Sequence, residues 1–336
     1  MSKHLIENFP SKKGEHCAST ALSELSTFYG WNISEAMAFG IGSGPSFVYL
    51  TYYPIDYSRI IFGRSPILEN DFFKSIHHDF KWNHGENLDW EMVKHYIDHN
   101  IPILMLTDTY YLDFYEINAH NFAGHTLVLI GYDEESNTAY VSDNIKDSII
   151  TTSLDLLIKS MSKAKAPFFK KYVWSPVLPF SKPNSVKDVI IHSILNTSQK
   201  MLNSPSSSMG LRAIKRLEHE IVFWPDLPNW QECCINVYRS LEFIGTGGAG
   251  FRNLYTVFIE EAAFFLPFLK EINSLNKMKE IAATYNKLSK KFYLAGRKGE
   301  MKYLVDIQEL LSNLYNLEFS FWSEIRKIVL NTTIPI

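Results

Sequence analysis

Between Cys17 and Tyr29 the apolar residues Ala18, Ala21, Leu22, Leu25 and Phe28 recur every three or four positions, a spacing that predicts a helix stopping at Gly30. The polar run from Ser11 to His16 leads into it. Ser34–Phe39 reads as a short capped helix, and residues 40–45 (Gly-Ile-Gly-Ser-Gly-Pro) as a loop. Phe47–Tyr53 is strand-like, Trp90–His99 an amphipathic helix and Pro102–Asp108 a buried strand. Strands at Thr126–Tyr132 and Thr138–Ser142, joined by the turn Asp133–Asn137, predict a hairpin. Mixed helix and strand patterning therefore predicts an α+β domain over residues 1–178. Pro176, Pro179 and Pro183 then interrupt regular structure. Beyond them helical periods run over Val186–Leu202, Met209–Phe223, Trp230–Phe243, Phe251–Leu269, Leu275–Ala295 and Met301–Leu330, which predicts an all-α helical domain over residues 185–336.

Composition narrows the classes. A chain of 336 residues that is 46% hydrophobic has enough apolar material for two packed domains. A net charge of -3 argues against a nucleic-acid or anionic-membrane partner. Cys17, Cys233 and Cys234 give no disulfide framework, which fits a reducing compartment. The absence of a membrane-length apolar run or a signal-peptide core adds the expectation of a cytoplasmic protein. A homo-oligomer is left open.

The candidate chemistry begins with Cys17, because a thiol at a helix N-terminus feels the positive end of the peptide dipoles and is favoured as thiolate. His125 stands at the entry of one hairpin strand and Asp143 at the exit of the next, so both fall at the same end of the ladder. Cys17, His125 and Asp143 are the expected catalytic residues: nucleophile, base and orienting carboxylate, in an order that resembles papain-type enzymes. The Cys17 amide is the expected oxyanion donor; no Gln or Asn precedes the thiol within residues 12–16 to supply a second.

Three residues are candidates for binding substrate. Glu35 could meet a cation, Asp108 could shape the site from the end of a neighbouring strand, and Tyr111 could wall a cleft; the alternatives are a surface helix residue, a turn cap and a core ring. Residues 245–250 (Gly-Thr-Gly-Gly-Ala-Gly) match a dinucleotide fingerprint literally, yet follow a helix and lack the later acid. They read as a helix-to-helix turn or, alternatively, as an anion cradle in which Gly247, Gly248 and Arg252 hold a phosphate. His95 with His99 and His77 with His78 lack a third ligand, so no metal is expected. Lysine clusters at 163–171 and 287–302 suit an acidic carrier protein or the phosphates of coenzyme A.

These stretches are similar to the butirosin biosynthesis protein H family of acyltransferases. The similarity is carried by His16-Cys17, Ser34–Gly42, Asp108–Leu112 and His125–Asp133, and in the helical part by Gly245–Arg252. The resemblance implies a papain-like cysteine-peptidase fold for the first domain, with a companion helical domain. It also implies acyl transfer from a phosphopantetheine thioester, on an acyl carrier protein or acyl-CoA, to an amine of a small molecule such as an aminoglycoside. No bound cofactor is implied. Two other readings use the same residues: a cysteine peptidase or amidase, in which water resolves the acyl-enzyme, and a carrier-binding protein without turnover.

Overall fold

The computed structural model describes residues 2–51, 58–115, 124–162 and 170–333. The first part of the chain runs β1 (Lys3–Leu5), α1 (Cys17–Phe28), α2 (Glu35–Ile41), β2 (Pro45–Thr51), β3 (Arg59–Arg64), α3 (Leu68–Ser75), α4 (Trp90–Asp98), β4 (Ile103–Thr107), β5 (His125–Asp133), β6 (Thr138–Ser142), β7 (Ile150–Ser153), α5 (Leu154–Met161) and β8 (Trp174–Pro176). Helices follow: α6 (Val186–Leu202), α7 (Gly210–Glu220), α8 (Trp230–Glu242), α9 (Arg252–Ala262), α10 (Phe268–Glu271), α11 (Ser274–Lys298) and α12 (Met301–Thr333). The protein is α+β, with a helical C-terminal region. Residues 52 and 53 of the strand expected over Phe47–Tyr53 lie outside the described residues. Among the described residues no helix is long and apolar enough to cross a membrane.

The chain divides into two units, Met1–Ala38 with Ile76–Pro183, and Phe39–Ser75 with Asn184–Ile336. The first unit is built on an antiparallel sheet of order β7-β6-β5-β4-β8, with β1 also paired to β5. The apolar run Leu127–Ile130 makes β5 the central strand: all its residues but Asp133 are buried. It holds β4 along one half, β1 along the other, and β6 on its opposite edge. Helix α1, buried along Cys17–Ser26, packs against β5. That packing brings the start of the helix to the sheet end where β5 begins.

The second unit surrounds α11 with α8, α9 and α12, and places the antiparallel hairpin β2–β3 against α7 and α8. The expected first domain of residues 1–178 is therefore not continuous: residues 39–75 pack with the helical unit. Close approaches explain why. A Cβ on Gly40 would overlap the Phe258 ring, and one on Gly63 would press on the Gly250 carbonyl. Phe39 stacks on Phe251 with ring centroids 5.5 Å apart. The helix expected over Phe251–Leu269 breaks after Ala262, and Pro267, which has no amide hydrogen to continue a helix, opens α10 instead.

Candidate active site

Cys17 is the first residue of α1 and is buried, at 7% exposure. The segment before it is tied down on both sides. Gly14 donates its N–H to the Asn144 carbonyl (2.9 Å) and accepts from the Asn144 amide (3.1 Å), while the Lys13 N–H goes to Asp147 (2.8 Å). Gly14 must be glycine here, since a Cβ would overlap Thr20 Oγ1 and crowd the Glu35 carboxylate. His16 caps the helix, its Nδ1 accepting the Ser19 N–H at 3.3 Å. The loop carrying the thiol and the loop carrying Asp143 are thus one stapled structure.

His125 and Asp143 meet as the hairpin predicts. Ser142 pairs with Val128, so Asp143 emerges at the end of the ladder where β5 starts, and its Oδ2 lies 2.6 Å from His125 Nε2. On the other side Thr107 faces His125 in register, and its hydroxyl donates to the His125 carbonyl (3.1 Å). The imidazole and the Cys17 thiol also act on one another electrostatically. With Nε2 turned to the carboxylate, the ring's other nitrogen is left for sulfur. Tyr115 adds a fourth member: its hydroxyl donates to Asp143 Oδ1 at 3.0 Å and lies 3.1 Å from His125 Nε2. The Ile145 N–H reaches the same oxygen at 3.2 Å.

Electrostatics at this cluster favour an ion pair. Burial works against ionisation of Cys17, but its interactions with His16 and His125 outweigh it and hold the thiol well below its usual range. Burial likewise opposes a charged His125, and the facing Asp143 carboxylate and Cys17 thiolate overcome it, pushing the imidazole up to about 10. Thiolate and imidazolium stabilise one another, and Asp143 holds the ring.

The remaining expected residues fall differently. Glu35 lies at the site, but its carboxylate is occupied by the protein: it accepts the N–H groups of His16 (2.7 Å) and Glu15 (3.0 Å) and the Ser19 hydroxyl (3.0 Å). It organises the entry to α1. Asp108 is buried one residue beyond Thr107 and caps the 3₁₀ turn Thr109–Tyr111, accepting the Tyr110 N–H at 3.1 Å. Tyr111 sits in that turn with Lys159 over its ring at 5.2 Å. Arg252 corrects the anion-cradle reading. Its guanidinium is fully buried, donates to Glu318 (2.8 and 3.0 Å) and to the carbonyls of Gly63 (2.6 Å), Ser46 (2.8 Å) and Gly250 (3.0 Å), and is thus committed to protein groups in the interior. Gly247 and Gly248 serve the turn instead, with φ of 60° and 81° and the Gly247 carbonyl accepting from Asn253. No group of potential metal ligands is found among the described residues. Residues 163–169 of the first lysine cluster lie outside them.

Residues 16–144 match the family model described as Butirosin biosynthesis protein H, N-terminal, and residues 156–325 match the one described as Domain of unknown function (DUF4872). The N-terminal region of the chain belongs to the butirosin biosynthesis protein H family. Cys17, His125 and Asp143 all fall inside the N-terminal match. Curated proteins give no match to the chain. The family ties the protein to the biosynthesis of secondary metabolites of the antibiotic type. Two members of the cluster escaped the sequence reading, His16 and Tyr115. The pairing His16-Cys17 was visible but offered no distinguishing spacing, and Tyr115 sits in an irregular segment whose neighbours are set by the fold alone.

Proposed function

We propose that the protein is a cysteine acyltransferase built on a papain-like catalytic unit, which moves an acyl group from a carrier-protein or coenzyme A thioester to an amine of a small molecule. The observation that carries this reading is the cluster of Cys17, His125 and Asp143 inside the region matched to the family's N-terminal model. The Cys17 thiolate attacks the thioester carbonyl, and the donor thiol leaves with the proton of the His125 imidazolium. The acceptor amine then attacks acyl-Cys17 while His125 takes its proton, an amide forms, and proton and thiolate return as the starting ion pair. Exchange of one thioester for another is nearly balanced in energy, and amide formation drives the second half. The helix N-terminus at Cys17 supplies positive peptide dipole to the oxyanion. Acceptors of the aminoglycoside kind fit the family, and the phosphopantetheine arm enters as substrate.

Incubation with an acyl carrier thioester or acyl-CoA is expected to add the acyl mass to Cys17, and Cys17→Ala to abolish the adduct. Adding a polyamine acceptor should discharge it as amide. Labelling that persists in Cys17→Ala overturns the reading, and release of free acid with acceptor present favours the amidase.

A further inference from the structure

Glu24 lies seven residues after Cys17 on α1, two turns along the same face, and is 1% exposed. A carboxylate this deep needs a reason. Its Oε1 accepts the Lys12 N–H at 2.8 Å, in the segment that leads to the nucleophile. Its Oε2 accepts the hydroxyl of Ser142 at 2.9 Å, the residue immediately before Asp143. Ser142 also touches the Ser11 hydroxyl at 2.7 Å, and the Lys12 ammonium donates to Ser23 at 2.6 Å. One side chain therefore joins the two chain segments whose relative placement sets the distance from sulfur to imidazole to carboxylate.

We propose that Glu24 is a positioning residue for the reaction, acting through Ser142 on Asp143 and through the Lys12 peptide on the loop into Cys17. This rests on the reading of Cys17 as the nucleophile. The groups acting on Glu24 are consistent with such a role: burial raises its carboxyl to about 7, against the hydrogen bonds of Lys12 and Ser142 and the Lys12 charge, and Asp143 adds to the rise. A group that is partly protonated near neutral pH is mimicked well by glutamine. In Glu24→Gln the amide oxygen still accepts from Lys12, and the amide nitrogen donates to Ser142, which turns its own proton to Ser11.

The test is the rate at which iodoacetamide alkylates Cys17 across pH, followed by mass spectrometry of its peptide, which needs no known substrate. Glu24→Ala is expected to move the acid limb of the profile upward by about one unit, a loss of about tenfold in rate on that limb. Glu24→Gln is expected to stay within about twofold of the parent, since a misplaced Asp143 no longer arises. Ser142→Ala should shift the limb in the same direction as Glu24→Ala. A Glu24→Ala profile superimposed on the parent overturns the proposal. If Glu24→Ala does not fold, an unshifted Ser142→Ala does so. A parent protein whose Cys17 resists alkylation at acid pH removes the nucleophile itself, and both readings fall together.

Discussion

A thiol that is 7% exposed ionises only where its neighbours offset the cost of its desolvation, and at Cys17 those neighbours are His16 and His125. The sign of each shift fixes the expected pH dependence. Cys17 is depressed, so its thiolate is present above that lowered value and lost as pH falls through it. His125 is raised, so the imidazolium persists through neutrality and is lost as pH rises toward about 10. Alkylation of Cys17 should accordingly be fast well below the ordinary thiol range, and acyl transfer should fall on the alkaline side, where the proton for the departing thiol is gone. An alkylation profile with a single rise in the ordinary free-cysteine range would contradict the ion pair. The placement of Cys17, His125 and Asp143 was legible because each sits at an element boundary that patterning locates. His16 and Tyr115 were not, since an N-cap that touches sulfur and a tyrosine that touches a distant carboxylate are tertiary facts.

At the scale of elements, α6, read from its helical period, spans Val186–Leu202, and β6, read from the turn that joins it to β5, spans Thr138–Ser142, both as expected. The short β1, β3, β7 and β8 were missed, because three to six residues hold too few alternations to show a period. Helix α1 shows how an element is completed from outside itself. Its first turn is capped by His16, and the segment before it is held by Glu35 from the start of α2. Replacing Glu35 with Ala strips acceptors from the His16 and Glu15 N–H groups and should cost about 1–3 kcal/mol, seen as a lower midpoint of thermal unfolding. The same variant should slow alkylation of Cys17, because the loop that aims the thiol loses its anchor. Glu35→Gln, which keeps an oxygen in place, should restore much of both. A Glu35→Ala protein that keeps its stability, with only its affinity for amines reduced, would instead return Glu35 to the role of cation binder.

For the whole molecule, the consequential difference from the sequence reading is the place of residues 39–75. Patterning reads elements along the chain and is blind to which of two cores a hairpin joins; here Arg252 decides it. From the first position of α9 its guanidinium reaches the carbonyl of Ser46 on β2, that of Gly63 on β3, and the carboxylate of Glu318 on α12, within one unit, and lies over the Tyr285 ring of α11 at 4.5 Å. Glu318 is equally buried and is also hydrogen-bonded by Trp322. Arg252→Ala therefore strands a charge in the interior and leaves two strand carbonyls without a donor, at an expected cost of about 3–5 kcal/mol in unfolding. Two ions removed together cost less than one: Arg252→Met with Glu318→Leu replaces the pair by apolar bulk and should recover more than half of the loss. Thermal unfolding followed by helical circular dichroism measures both. Equal destabilisation in the single and double variants would mean that the hairpin is held by the carbonyl contacts and not by the pair.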